Sequence, residues 1–396
     1  MKICHIINLY EPYMIGGAEK YVERIAQALS RSDEVMVIST QPHARGVQQH
    51  TNAITVFRYN PLNLYNTYYS GQKNDYIKPL WHLIDLWNPH SFEVLNRILR
   101  KEKPDVVHTH NLGGISLSAF SAIRARGIPH IHTVHDFSLI CPRATLLRSD
   151  ETPCSSPSLL CKMYENTKQI LAGSPDIVTA PSDFILRIHK ERGFFPHSLL
   201  RKLPLGIEVH EKPDPNKTYD IIHFLYVGRI SRDKGVHVLL QVFREIDNQN
   251  IRLHIVGNGP ALGLCQELAG SDRRITFHGF VSGTEVLDSI YRSSHVLIVP
   301  SLCFDNSPTV IYEAMSYGLP VIGSRVGGIP ELIEHGNTGY LFQPGEQEEL
   351  RSILETLIQN PDHLRRLSWN AYQRSRLYTL DNHIHQLKSF YREIST

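Results

Sequence analysis

Two carboxylates eight positions apart, Asp305 and Glu313, stand in a segment that suits a ligand with anionic and hydroxylated parts. The apolar run 295–300 before them is typical of a buried parallel strand, and 309–317 carries apolar residues at helical spacing. In an open α/β sheet, ligands bind beyond the carboxyl ends of the strands, and a helix that begins there offers unpaired N–H groups to an anion. The segment therefore predicts a phosphate cradle between a strand and a helix.

The elements that must position this cradle are predicted in both halves of the chain. Short apolar strands alternate with amphipathic helices, as βαβ units require. A segment with prolines and charges, 204–215, separates the two series. The sequence therefore predicts an α/β protein with an N-terminal domain (1–205), a C-terminal domain (206–375) and a last helical segment (376–396).

Length and charge narrow the functional class. The 396 residues are enough for two domains that each bury a core. Before Gly206 there are 23 Lys and Arg against 17 Asp and Glu, and from there on 18 against 22. This mild asymmetry lacks the concentrated basic stripe of a duplex nucleic-acid binder, and it leaves room for an anionic acceptor or a membrane surface.

Apolar runs and cysteines indicate the compartment. No apolar run approaches the roughly 20 residues of a spanning helix, and the first residues predict a strand rather than a signal peptide. Six scattered cysteines are typical of a reducing compartment, so we expect a cytosolic protein. Cys141, Cys154 and Cys161 lie close in sequence, and either plain thiols or a structural metal would account for them.

The spacing of Asp305 and Glu313 resembles the Glu-x7-Glu signature of the family-4 retaining glycosyltransferases, with Asp305 in place of the first glutamate. Further matches follow the order of that family over nearly the whole chain. Gly16-Gly17 resembles its N-terminal glycine loop, and Gly228-Arg229 with Lys234-Gly235 resembles its pyrophosphate-binding segment. Gly257 resembles its turn near the base. The resemblance implies the GT-B fold, in which two Rossmann-like domains face a central cleft and a C-terminal helix crosses back to the N-terminal domain.

The resemblance also implies how a nucleotide-sugar donor is held. Arg229 offers a planar fork and Lys234 a point charge to a diphosphate that gains negative charge as it leaves. In the family, the glutamate that matches Glu313 accepts hydrogen bonds from two ribose hydroxyls. Backbone N–H groups at the start of the helix would address phosphate and sugar hydroxyls, and they belong to Asn306, Ser307, Thr309 and Val310.

The glycines and Asp305 have simpler explanations as well. Gly16, Gly17, Gly228 and Gly257 would let the backbone approach the donor, but Gly16-Gly17 alone also suits a plain turn. Asp305 either replaces the catalytic glutamate of the family with a carboxylate one methylene shorter or caps the helix. No Asp-x-Asp tripeptide occurs, so we expect no metal ion and no other cofactor.

Two segments rich in histidine, 104–111 and 129–136, each predict a strand that ends at the carboxyl edge of a sheet, which brings His110 and His135 to the ligand side. This density of histidines raises the possibility of a zinc site, although convergent ligands from other strands are not evident. The resemblance implies that His135 hydrogen-bonds the transferred sugar and that Asp136 caps the following loop.

Aromatic and basic segments of the first domain suggest an acceptor side. Residues 57–89 predict an elaborated loop whose Tyr65, Tyr68 and Trp81 either stack on an acceptor sugar beside His110 or cover the core of the domain. Residues 194–202 predict exposed rings among basic residues, which suits peripheral contact with an anionic membrane or a plain solvated face.

The resemblance as a whole implies a metal-independent retaining hexosyltransferase, located in the cytoplasm or at the inner face of the membrane. Its partners would be a nucleotide-sugar donor and a glycan or lipid-linked acceptor in cell-surface or secreted polysaccharide biosynthesis. Two alternatives remain: a sugar-nucleotide epimerase of the same fold, and a non-catalytic GT-B subunit that binds a partner transferase.

Overall fold

The computed structural model describes residues 1–395 except 15, 45, 46, 52, 75, 149, 151, 211, 215, 216 and 282. The chain divides into two compact units. Unit 1 comprises Met1–Leu146, Cys154–Pro204 and His383–Thr396, and unit 2 comprises Leu147–Pro153 and Leu205–Asn382. The sequence placed its first boundary after residue 205 and began its last segment at 376.

One sheet forms the centre of unit 1. Its strands in the described part of the chain are β1 (Lys2–Ile6), β2 (Glu34–Thr40), β3 (Val47–Thr51), β4 (Ile54–Tyr59), β5 (Val106–Thr109), β6 (His130–Thr133), β7 (Ile177–Ala180) and β8 (Leu199–Lys202). They lie in the order β3-β4-β2-β1-β5-β6-β7-β8, and all neighbours pair in parallel except β3 and β4. β3 and β4 were not predicted as strands.

Helices cover this sheet with their apolar stripes. They are α1 (Gly17–Leu29), α2 (Lys78–Leu86), α3 (Pro89–Glu102), α4 (Ser118–Arg126), α5 (Leu159–Ala172) and α6 (Asp183–Glu191), with a short 3-10 helix at Thr67–Gln72. The apolar face of α1, which includes Val22, Ile25 and Leu29, is buried. Ser182 caps α6, because its side chain accepts a hydrogen bond from the Ile185 N–H.

The prediction of exposed rings in 194–202 was wrong. Phe194 and Phe195 are only 1% and 3% exposed and pack against the ring of His189. The chain turns back after α6, where the Phe194 N–H donates to the His189 carbonyl oxygen, and it then continues as strand β8. Arg201 and Lys202 lie within β8, and the two phenylalanine rings belong to the core of unit 1.

Unit 2 contains a second parallel sheet. Its described strands are β9 (Ile222–Val227), β10 (Ile251–Val256), β11 (Ile275–Gly279), β12 (Val296–Val299), β13 (Val321–Ser324) and β14 (Gly339–Phe342), in the order β11-β10-β9-β12-β13-β14. Its helices are α7 (Val236–Glu245), α8 (Leu262–Ala269), α9 (Thr284–Ser293), α10 (Thr309–Ser316), α11 (Ile329–Leu332), α12 (Gln347–Gln359) and α13 (Pro361–Ser375), with short 3-10 helices at Arg232–Lys234 and Arg376–Tyr378.

A last helix, α14 (Leu380–Ile394), follows. Its residues from His383 onward belong to unit 1, where Leu387 and Tyr391 are fully buried. None of the helices in the described part of the chain combines the length and the apolar composition that a membrane-spanning segment requires. The cytosolic location stays a prediction.

Each sheet has one point where the strand order reverses direction. In unit 1 this point lies between β1 and β5, and in unit 2 between β9 and β12. The predicted α/β class with two Rossmann-like halves is therefore confirmed. In such sheets the loops at the carboxyl ends of the strands beside the reversal form the ligand-binding crevice. These two places are where the candidate site residues lie.

Candidate functional site

Two interlocked loops form the reversal point of unit 2. The loop after β9 contributes the Asp233 carbonyl oxygen, which accepts a hydrogen bond from the Leu302 N–H at 2.8 Å in the loop after β12. Gly235 allows the close approach, because it has a φ of +70° and an added Cβ would lie 1.9 Å from the Pro300 carbonyl oxygen. The two loops therefore hold each other in a fixed position.

Lys234 and Asp305 form an ion pair across these loops. Burial alone would lower the pKa of Lys234, but the neighbouring Asp305 carboxylate reverses the effect and leaves that pKa raised. The Ser301 hydroxyl donates to the second oxygen of Asp305 at 2.5 Å. Both oxygens of Asp305 are thus engaged, and the ammonium of Lys234 stays charged.

The backbone around Arg229 is fixed by two glycine turns. Gly228 donates to the Val256 carbonyl oxygen, and an added Cβ at Gly257 would lie 1.8 Å from the Gly228 carbonyl oxygen. The Tyr226 hydroxyl donates to the Arg229 carbonyl oxygen at 2.7 Å. The side chain of Arg229 is exposed, and no residue in the described ranges forms an ion pair with it. Its guanidinium is available to a ligand.

Helix α10 carries Glu313 and begins without a side-chain cap at Pro308. Its first N–H groups, those of Thr309 and Val310, therefore keep the partial positive charge of a helix N-terminus. The Tyr291 hydroxyl donates to Glu313 Oε2 at 3.1 Å, and its ring stacks on Tyr317 with centroids 5.0 Å apart. Burial and the Glu313 carboxylate raise the pKa of Tyr291 well above its usual value, so Tyr291 stays protonated and fixes Glu313.

The loop before α10 is held on its other side. The Asp305 carbonyl oxygen accepts a hydrogen bond from the Gly328 N–H at 2.7 Å, and the Ser307 hydroxyl lies 2.7 Å from the Tyr312 hydroxyl. Asn306 is half-buried. Sequence reasoning singled out Asp305, Asn306 and Ser307 but missed Tyr291, whose position on an amphipathic helix gave no functional signal.

The reversal point of unit 1 is made of histidines. His5 Nδ1 lies 3.1 Å from His110 Nε2, and His110 Nδ1 lies 3.1 Å from His135 Nε2. Burial lowers the pKa of His5 and of His135 to about 3, and that of His110 also falls well below its usual value. All three rings are therefore neutral at pH 7, and each has a single N–H to donate along the chain.

The sequence left open whether the clustered histidines of unit 1 bind zinc. In the described residues, ligand atoms of His5, His108 and His110 lie within 4.8 Å of one another. However, His108 Nδ1 is 2.8 Å from the Tyr391 hydroxyl, and His108 Nε2 is 2.6 Å from the Thr133 hydroxyl. Hydrogen bonds already occupy these nitrogens, which fits a polar core better than a zinc ligand set.

His130 and His132 lie on the same face of β6, because they are two residues apart in a strand. The Thr109 hydroxyl lies 2.8 Å from His130 Nε2 and 2.9 Å from His132 Nδ1. Asp136 accepts a hydrogen bond from the Ser138 N–H at 2.8 Å, so it caps the following loop as expected. All six cysteines are free thiols, including Cys141, Cys154 and Cys161.

The N-terminal glycine loop leads directly into α1. The Gly16 N–H donates to the Glu19 carboxylate at 2.8 Å, which closes the first turn of the helix. An added Cβ at Gly17 would meet no atom within 4 Å, so the backbone there stays accessible. Binding of a phosphate by the Gly16 N–H would require Glu19 to release it, and this role stays a prediction.

The three predicted acceptor-side aromatics separate in the structure. Trp81 is buried, stacks on Tyr65 with centroids 5.4 Å apart and donates its indole N–H to the Tyr65 carbonyl oxygen. Tyr68 is exposed and meets the ring of Tyr13 edge-on. Of these three residues, only Trp81 lines the cavity of unit 1 that is described next.

A cavity of about 590 Å³, a volume that includes space open to solvent, brings several site residues of unit 1 together. It is lined by Trp81, His82, Asp85, His110, Asn111, Leu112, Gly113, Ser116, Leu117, His132, Thr133, Val134, His135, Asp136, Ser138, Leu139, Pro142, Tyr164 and Lys168. Sequence reasoning found Trp81, His110 and His135 but missed Asp85 and Lys168. A charged residue on an otherwise apolar helix face, as at Asp85 in α2, was the available signal.

Comparisons with known proteins decide the family. Residues 15–211 match the model of Glycosyltransferase Family 4, and residues 208–374 match that of Glycosyl transferases group 1. The chain belongs to glycosyltransferase family 4. In this family-4 protein, the first carboxylate of the Glu-x7-Glu spacing is Asp305, and it is paired with Lys234.

Similar proteins and solved structures match most of the length of this family-4 protein. An uncharacterized 42.6 kDa protein in the cps region of Klebsiella pneumoniae is 26% identical over 84% of this chain and 87% of its own. Sucrose-phosphate synthase from Thermosynechococcus elongatus has a TM-score of 0.76 at 22% identity, covering 99% of this chain and 98% of its own. Anabaena HepE, solved in complex with UDP, has a TM-score of 0.72 at 19% identity, and the match covers 99% of this chain and 100% of the HepE chain. The GT-B fold is thereby confirmed.

Proposed function

We propose that this protein moves a sugar from a nucleoside diphosphate to a glycan or lipid-linked acceptor, with retention of configuration and without a metal ion. The observation that carries the proposal is the reversal point of unit 2, where Lys234, Asp305 and the uncapped start of the Glu313 helix belong to interlocked loops. Family membership and the UDP bound by HepE support this donor class. The relative from a cps region supports a role in polysaccharide biosynthesis.

In the proposed reaction, the bond between the anomeric carbon and a phosphate oxygen breaks. The acceptor oxygen bonds to the same face of the sugar, and its proton passes to the departing phosphate oxygen. Arg229 and Lys234 act on the diphosphate, whose negative charge grows in the transition state, so they stabilise that state more than the bound donor. The N–H groups at the start of α10 add partial positive charge.

The other contacts orient the donor. The Glu313 carboxylate, fixed by Tyr291, accepts hydrogen bonds from the ribose hydroxyls. The neutral ring of His135, fixed by His110, hydrogen-bonds a hydroxyl of the transferred sugar. The ion pair with Asp305 keeps Lys234 charged and holds its ammonium beside the loop. The ammonium has three N–H donors, so it could donate to a bound phosphate and to Asp305 together.

Thermal-shift measurements with uridine, guanosine and adenosine diphosphates test the proposal first. We expect one base to raise the melting temperature by a few degrees, because saturating ligand adds about 2.7 kcal/mol at 100 times Kd. Incubation of the corresponding sugar donor with acceptor, followed by NMR of the anomeric proton, then checks retention. Failure of every nucleotide to shift the melting temperature would contradict the proposal.

A non-catalytic subunit is the second candidate, because Lys234 and Ser301 engage both oxygens of Asp305. Calorimetry distinguishes the two: an active transferase binds its nucleotide diphosphate, whereas a subunit that has lost the donor site does not. Incubation of a donor without acceptor covers the epimerase alternative, for which an isomerised nucleotide sugar would be the product.

A further inference from the structure

The cavity of unit 1 contains two ionisable side chains that the proposed donor chemistry does not use. Asp85 on α2 is 4% exposed, and Lys168 on α5 is 8% exposed. Both line the cavity together with His135. Burial of a charged group is unfavourable unless partners compensate it, so the presence of these two side chains on a cavity wall requires an explanation.

Each charge is only partly compensated by the protein. Asp85 accepts one hydrogen bond from the Gly114 N–H at 2.8 Å. Lys168 donates to the Ser138 carbonyl oxygen at 3.1 Å and lies 4.6 Å from the centre of the Tyr164 ring. In the described part of the chain, no ion pair joins Asp85 to Lys168. Each group keeps hydrogen-bonding capacity for a ligand.

Asp85 and Lys168 act on each other's pKa although no ion pair joins them in the described residues. Burial raises the pKa of Asp85 to about 7, against the opposing influence of Lys168. Burial also lowers the pKa of Lys168, although Asp85 and then Asp136 act in the opposite direction. A group placed between a carboxylate and an ammonium would stabilise both charged forms.

We propose that Asp85 and Lys168 bind a hydroxyl group of an uncharged sugar residue, which is the acceptor of the transferase reaction. A hydroxyl both donates and accepts, so one hydroxyl can donate to the carboxylate and accept from the ammonium. This inference rests on the proposed function and specifies the acceptor. The Asp85 and Lys168 pair would place the acceptor in the same cavity as His135, which the proposed mechanism sets beside the transferred sugar.

The charge of the cavity selects against an anionic acceptor group. Lys168 faces two carboxylates, Asp85 and Asp136. The histidines that line the cavity add no positive charge, because burial lowers the pKa of His82 to about 4 and that of His135 to about 3. A uronic acid or a sugar phosphate would meet more negative than positive charge there, whereas a neutral hexose would not.

Saturation-transfer NMR on the full chain tests the proposal with defined probes. The probes are the methyl glycosides of glucose, galactose and mannose, with the methyl glycoside of glucuronic acid and glucose 6-phosphate as charged counterparts. We expect saturable binding of at least one neutral glycoside and about tenfold weaker binding of its charged counterparts. In Asp85→Asn and in Lys168→Met, Kd for the neutral glycoside should rise at least tenfold, because each variant weakens a hydrogen bond to a charged group.

Controls separate binding from folding. Lys162→Met changes an exposed lysine of the same helix and should bind like the unmodified protein. The double variant Asp85→Asn with Lys168→Met leaves no single buried charge, so it should fold even where a single variant does not, and it should still bind weakly. Nucleotide diphosphates should shift the melting temperature of all variants equally, which distinguishes failure of this inference from failure of the proposed function.

Three outcomes would overturn the inference. One is unchanged affinity for the neutral glycoside in both single variants or in the double variant. Another is tighter binding of the uronide or the sugar phosphate than of the neutral glycosides. The third is the absence of saturable binding of every neutral glycoside to a protein that binds its nucleotide.

Discussion

The two reversal points of this chain use opposite electrostatics. In unit 2 the candidate residues are charged at pH 7 and lie on loops, with Arg229 exposed and Lys234 paired with Asp305. In unit 1 the ligand side is built from buried neutral rings, such as those of His5 and His110. One α/β topology thus supports two kinds of site, because the sheet fixes only where the loops lie and not what they carry.

The difference matches the two tasks of a transferase. A leaving diphosphate needs positive charge that acts more strongly in the transition state. A sugar needs directional hydrogen bonds, and the neutral imidazoles at the reversal point of unit 1 can supply them. Five experiments test this contrast between the two units.

Acidification should have the largest effect, which is a loss of stability. Unit 1 should lose stability at a higher pH than unit 2. Burial lowers the pKa of His5 and of His130 to about 3, whereas histidine in an unfolded chain titrates near 6.5. The unfolded state therefore binds more protons between these values, and the free energy of unfolding falls as pH drops through this window, by roughly 2 kcal/mol per histidine at pH 5. Hydrogen exchange at pH 5 should lose protection in β1, β5 and β6 before β13 and β14.

The Asp85 carboxyl weakens the loss of stability in acid, and a histidine variant measures the contribution of a single ring. The raised pKa of Asp85 acts in the opposite direction, because the folded state then binds the extra proton, but one carboxyl does not offset several histidines. His5→Leu removes one titrating ring and should reduce the pH dependence of stability between pH 4 and 6.5 by about one proton. Equal loss of protection in both units would contradict the contrast between them.

Lys234→Gln should lower kcat/KM by roughly 1000-fold, since it removes a charge that stabilises the leaving diphosphate. Steady-state kinetics with the nucleotide sugar identified by thermal shift would measure the loss. Arg232→Ala is the matched control, because Arg232 is an exposed cation in the same 3-10 helix. A Lys234 variant that retains turnover would remove the main electrostatic argument for unit 2.

His135→Ala should lower kcat by roughly 100-fold through loss of a hydrogen bond to the transferred sugar. His110→Phe should lower kcat about tenfold with little change in the KM of the donor, because His110 acts by orienting the His135 ring. His197→Ala, which changes an exposed histidine of unit 1, should leave the rate unchanged. A larger effect of His110→Phe than of His135→Ala would contradict this order.

Tyr291→Phe should raise the donor KM about fivefold and leave kcat nearly unchanged, because it removes one hydrogen bond that holds Glu313. Tyr340→Phe also loses a hydroxyl hydrogen bond in unit 2, to His363, and serves as the control. Unchanged donor KM in Tyr291→Phe would show that Glu313 needs no such support.

EDTA should have the smallest effect and leave the transfer rate unchanged, since cationic side chains are proposed to act on the diphosphate. Metal analysis of the purified protein checks the histidine cluster independently. Loss of activity on chelation that zinc or magnesium restores would overturn the metal-free mechanism. Stoichiometric zinc would instead favour coordination by His5, His108 and His110.

The candidate residues of unit 2 could be singled out from sequence because they are tied to local geometry, and their role in binding stays a prediction. A strand end, a glycine turn and a helix start fix the positions of Arg229, Lys234 and Glu313 within a few residues of each signal. The ion pair between Lys234 and Asp305 was not accessible, since it joins residues 71 positions apart. It depends on β9 and β12 being neighbours, and local spacing does not state that order.

Sequence patterns alone predicted the α/β class, the ends of β5 and β6 beside His110 and His135, and the charged loops after β9 and β12. The burial of Phe194 and the cavity that Asp85 and Lys168 share became evident only in the folded chain. Periodicity and turn residues report what each segment prefers alone, whereas burial depends on which distant segments pack against it. Contacts across the sheet therefore had to come from the folded chain.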